Sequence, residues 1–209
     1  MLDEKSMTRD LSELGYLRLK RLTYKASWSS TDVEHFLYFS LFSGGYYLAC
    51  EFGVRNPAAQ RFAIECLQLY GGPLFQTFRV DPRFDCPMQF SLGRMAGWPE
   101  RSSLIVSKMS ASALADKVKR DVRDSLFPLI RSVLSAADLF SLLVKDDEPF
   151  RWLRVNGALR AAMIVYLGRR IGMQAGEIEA MLQPYLKEIA ASVDRVTPEF
   201  FLERVLHSN

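Results

Sequence analysis

The residues of this chain that could do chemistry are few and widely spaced. Cys86 sits in an Asp85-Cys86-Pro87 segment close after Arg83. A thiol there becomes a nucleophile only if a base or a positive field lowers its pKa. No histidine is placed to serve, because the two in the chain, His35 and His207, lie far from it in sequence. Without an HxxxH pair or a His/Cys cluster, no metal site is expected, and no cofactor. Glu34 and Glu51 fall on alternating strand-like runs, where a solvated side chain is the simpler reading. Gly44-Gly45 and Gly71-Gly72 match neither of the phosphate-cradling glycine patterns. Arg94, in the Gly93–Gly97 loop, could contact an anion. An enzyme built on this chain would have to use Glu51, Cys86 and Arg94, and no catalytic residue is assigned.

Binding is the better use of what remains. Lys117, Lys119, Arg120 and Arg123 interleave with Asp116, Asp121 and Asp124, the pattern of a salt-bridged solvent face. The 27 basic and 24 acidic residues nearly cancel, to +3, so no field for nucleic acid or anionic lipid follows. Asp146-Asp147-Glu148 is the one purely acidic run. It favours the N-terminus of a following helix, or docks on a basic partner surface. Phe84 and Trp98 are the aromatic side chains of the 73–101 loop that could serve as anchors, Trp98 as an exposed one beside Pro99. The expected contact residues are therefore Phe84, Trp98, Asp146, Asp147 and Glu148, and the expected partner is a protein, not nucleic acid or a membrane.

The elements that must position these residues divide the chain. Leu2, Met7, Leu11 and Leu14 predict a first helix stopped at Gly15. Alternation of Leu22, Tyr24, Ala26 and Trp28 with Thr23, Lys25 and Ser27 predicts a strand over 17–28. The firmest signal is the hairpin at 34–54: a β-rich run His35–Phe42, the turn Ser43-Gly44-Gly45, and a return strand with Tyr46, Leu48, Cys50, Phe52 and Val54 on one face. Asn56-Pro57 opens a helix with Phe62, Cys66 and Leu69 on its apolar side, ending at Gly71-Gly72. After a loop over 73–87, Met88–Leu92 reads as a short fourth strand. Helices then follow: one capped by Ser112 and bent or ended by Pro128, one opened by a capping box at Ser135–Asp138, and one with Pro149 in its first turn running to Arg170. The last two are a helix over about 176–192, kinked or broken at Pro184, and a final helix started by Thr197-Pro198-Glu199.

The fold class is therefore α+β. An antiparallel meander of three to four strands occupies the N-terminal half, and a helical half follows. One domain is expected over 1–209, with its α+β portion in 1–110 and its helical portion in 111–209. Three cysteines, an odd count without CxxC spacing, read as reduced thiols in the cytosol. Residues 1–15 lack the apolar run of a signal peptide.

The order Leu11-x-x-Leu14-Gly15-Tyr16, then Thr23-Tyr24, then Glu51-Phe52-Gly53-Val54 resembles a family of small α+β domains of unknown function in bacteria. Cys86-Pro87 through Gly93, Leu126–Ile130 and Ser135–Leu139 fit the same layout, although one tryptophan, Trp98, stands where the family pattern has two. The resemblance implies the fold. It also implies a role, because such families supply immunity proteins encoded beside toxins. A cytosolic immunity protein that binds and neutralises a bacterial toxin is accordingly the expected function. An adaptor or chaperone for a secreted effector, or an enzyme with an unfamiliar site, are the alternatives.

Overall fold

A computed structural model describes residues 3–79, 86, 88–99, 103–145, 153–154 and 156–208. The architecture is mixed α and β, with an antiparallel meander in the N-terminal half and a helical C-terminal half. The meander consists of β1 (Tyr16–Lys20), β2 (Thr23–Ala26), β3 (Glu34–Phe42) and β4 (Tyr47–Arg55). β5 (Met88–Ser91), the expected fourth strand, pairs antiparallel with β4 so that Phe52 faces Phe90. β6 (Leu104–Ile105) pairs with the start of β4, and β7 (Leu153–Arg154) completes the order β1-β2-β3-β4-β5-β7.

The strand expected over 17–28 is in fact two. Leu22 takes φ 58° and turns the chain back, so that Tyr16 pairs with Ala26 and Leu17 with Lys25. Leucine rarely adopts that conformation, and nothing in its type announces a turn.

Contacts close into two compact units that interleave along the chain. The first comprises Met1–Val54, Met88–Leu134 and Asp147–Leu153. Helix α1 (Glu4–Glu13), capped by Asp3, buries Met7 and Leu11, and its Thr8 hydroxyl meets the Tyr24 hydroxyl at 3.1 Å. A short α3 (Leu92–Met95) follows β5. Helix α4 (Ala111–Asp121) buries Leu114, Ala115 and Val118. Its N-cap is Ser110, not Ser112, because the Ser110 hydroxyl is the one that accepts from the Ala113 amide. Pro128 does not end this helical run. A π-turn over Val122–Leu126 shifts the hydrogen bonding first, and α5 (Phe127–Ile130) takes Pro128 in its opening turn, where no amide is needed.

The second unit comprises Arg55–Pro87, Ser135–Asp146 and Arg154–Asn209. Helix α2 (Pro57–Tyr70) packs against α7 (Gly157–Arg170), and Phe62 meets Tyr166 at 5.5 Å between ring centroids. The buried side of α2 is Phe62, Ala63, Cys66 and Leu67; Leu69 is 71 % exposed, because Leu67 already occupies the buried stripe one turn after Ala63. α6 (Ala136–Val144) carries the expected capping box, in which Ser135 and Asp138 exchange hydrogen bonds. α7 is apolar on nearly every side, as a central helix must be. It starts at Gly157 and not near Pro149, because the Asn156 side chain caps the Leu159 amide. Pro184 breaks the next helix as expected, leaving α8 (Ala175–Leu182), a 3-10 turn and α9 (Leu186–Ala190). Thr197 caps α10 (Pro198–His207). Among the described residues no helix is long and apolar enough to cross a membrane.

Candidate functional site

The hairpin that the sequence announces ends in an aromatic tip. Ser43, Gly44 and Gly45 all take left-handed backbone, at φ 52°, 67° and 88°. The turn closes with Gly45 N–H donating to Phe42 O and Tyr46 N–H to Ser43 O. Both glycines have open space where a Cβ would stand, so conformation and not crowding selects them. The turn brings Phe42, at the end of β3, over Tyr47, at the start of β4; their rings stack at 5.3 Å and 16°. Tyr46 meets Tyr47 edge to face at 4.9 Å. Phe42 is 42 % exposed and Tyr46 41 %. The tip is braced from one side, where Val106 N–H donates to Tyr46 O at 2.9 Å and Tyr47 pairs with Ile105. Exposed rings held on a braced hairpin lose little entropy when a partner covers them, which is the usual make-up of an anchor.

The buried titratable groups of both units are tuned away from reactivity. His35 is fully buried between Trp28 and Phe52, at 4.5 and 5.7 Å between ring centroids. Burial pulls its pKa down to about 4, partly opposed by its hydrogen bond to Val133 O at 2.8 Å. A neutral imidazole facing a carbonyl must carry its proton on Nε2, which leaves Nδ1 as an acceptor. That Nδ1, the Tyr16 hydroxyl and the Trp28 indole N–H are buried without a hydrogen-bond partner among the described residues. Burial pushes the Cys50 thiol well up, with Glu51 and Asp121 adding to it, and pushes Cys66 to about 11. Such thiols stay protonated at neutral pH and are poor nucleophiles.

No family model, no curated protein and no solved structure matches this chain.

The residues expected from sequence fall elsewhere. Trp98 is buried, 4 % exposed, and its indole N–H donates to Asp121 at 2.6 Å, so the exposed anchor foreseen beside Pro99 is a packed side chain. Lys117 holds the same carboxylate at 2.9 Å. Cys86 is also buried, at 3 %, and not an exposed loop thiol. Arg94 is exposed on α3, and Glu51 stands half-buried in β4 opposite Ser91. Phe84, Asp146, Asp147 and Glu148 lie outside the described residues. The tip rings were missed as contact residues because alternation assigns the face of Tyr46 to the core. The strand itself begins only at Tyr47, which frees Tyr46 from that face.

Proposed function

We propose that the chain is a non-catalytic protein-binding domain, a cytosolic immunity protein that binds and neutralises a bacterial toxin. The observation that carries the binding reading is the exposed aromatic tip of the β3–β4 hairpin. Phe42 and Tyr46 offer apolar area on a rigid mount, and the segment from Phe42 to Tyr47 contains no charge that a partner would have to desolvate. Support for the toxin as partner comes from the family resemblance, carried by Leu11–Tyr16, Thr23-Tyr24 and Glu51–Val54 and by the later segments that fit the same layout.

The test is co-expression with the toxin encoded by the neighbouring reading frame. The unaltered chain should restore growth, and the double variant F42S/Y46S should not. With purified proteins that variant should weaken binding about thirtyfold, the loss expected when anchor rings worth about 2 kcal/mol are removed. Growth that is not restored by the unaltered chain would overturn the immunity reading. Binding without protection would point to an adaptor. Unchanged affinity in F42S/Y46S would remove the tip as the contact.

A further inference from the structure

The second unit holds a cleft that the protein-binding reading does not use. It is about 520 Å3, within the range of sites that hold small ligands. One wall is a stripe of α2 on which Gln60, Arg61, Ile64 and Glu65 recur at helical spacing. The other carries Phe78 and Arg79. The second wall is fixed to the first: Gln68 of α2 donates from Nε2 to Phe78 O at 2.6 Å.

The lining has two characters. Ile64 and Phe78 give it an apolar body, and Gln60, only 4 % exposed, brings a buried amide to it. Arg61 and Arg79 give it positive charge. Neither arginine forms an ion pair among the described residues. Arg79 is also positioned: its Nη1 donates to Phe78 O at 2.8 Å and to Gln76 O at 3.4 Å, and among the described residues the rest of its planar fork has no partner. Glu65 lines the same cleft, so among the described residues the lining balances to one positive charge and not two. A dianion would meet that carboxylate, whereas a monoanion can take an arginine and leave it alone.

We propose that this cleft binds a small organic monoanion with an apolar body, such as an aryl-substituted or medium-chain carboxylic acid. The carboxylate takes the guanidinium groups of Arg61 and Arg79, and the apolar part lies on Ile64 and Phe78. Charge-assisted hydrogen bonds in a partly dry cleft supply the orientation, and the apolar contact supplies the bulk of the affinity.

The test uses 4-phenylbutyrate as probe and 4-phenylbutanol as its uncharged counterpart, titrated calorimetrically into the full chain. The acid should bind saturably, and the alcohol roughly tenfold or more weakly, the effect of losing a charge-assisted pair. The double variant R61Q/R79Q should show the same loss for the acid while its circular dichroism and thermal midpoint stay unchanged, since both arginines are exposed. I64W, which fills the cleft, should abolish binding of both compounds. The hairpin variant F42S/Y46S should bind the acid like the unaltered chain, which separates this site from the partner surface. Absence of saturable binding by the acid would overturn the proposal. So would equal affinity for acid and alcohol, or an unaltered affinity in R61Q/R79Q.

Discussion

The two units bury polar side chains in opposite ways. In the first, His35 loses its charge: packed between Trp28 and Phe52, it is neutral down to about pH 4 and makes one hydrogen bond through Nε2. In the second, the guanidinium of Arg160 is buried at 7 % exposure. Its Nε donates to Leu143 O at 2.9 Å and its Nη2 to Lys145 O at 3.0 Å, so it satisfies carbonyls that the C-terminus of α6 leaves open. Tyr185 completes the arrangement. Its ring lies 4.4 Å under the guanidinium, and its hydroxyl donates to Val144 O at 2.9 Å. A helix end offers the negative pole that a buried cation needs, and an aromatic nest does not. Arginine is charged in any protein setting and so must find such a pole when buried, whereas histidine can shed its proton instead.

Arg160→Ala should produce the largest effect. It removes the donor to Leu143 O together with the packing of the side chain against Tyr185, a loss of about 3–4 kcal/mol by urea unfolding. A cost below about 1 kcal/mol would mean that water replaces the guanidinium and that the helix end is wetter than it looks.

Acid should act on the other unit. The folded chain holds His35 near pKa 4 and the unfolded chain near 6.5, so the unfolded state binds the extra proton. Stability is therefore full above about pH 6.5 and falls as the pH drops toward 4, by roughly 3 kcal/mol in all. The variant H35F, without the titrating group, should lose less over the same window. Parallel curves for the two proteins would place the acid sensitivity elsewhere.

Glu188→Gln sharpens the account of Arg160. The carboxylate is 3.3 Å from Nη1 but half exposed, so its contribution should stay within about 1 kcal/mol. A loss equal to that of Arg160→Ala would show that the ion pair, and not the helix end, holds the charge. Smallest of all, F42S/Y46S should leave unfolding free energy within about 0.5 kcal/mol, since both rings pack on Tyr47 at the surface.

How much of this was legible depends on whether a signal is local. The hairpin, the Asn56-Pro57 start of α2 and the Ser135 capping box are written in adjacent residues, and each appears where expected. The division of 17–28 into two strands is not, because Leu22 is forced into its turn by the pairing of its neighbours. The start of α7 turned on a competition between Pro149 and Asn156, two plausible openings, which a side-chain cap to Leu159 decides. For the sites, Arg160 is conspicuous in an apolar run, but the carbonyls that neutralise it come from another helix. The cleft is less legible still. Its α2 wall has helical spacing, but its partner wall at Phe78 lies in a segment that reads only as loop.

The interleaving of the two units bears on how the chain comes off the ribosome. The meander is complete once Val54 has emerged, yet the unit it belongs to is not closed until Leu153 follows. At about 5–20 residues per second that is a wait on the order of ten seconds, and β5, the edge partner of β4, emerges only part-way through it. The strand carrying Leu48, Cys50, Phe52 and Val54 is the part of this protein with most need of a chaperone while it is being made.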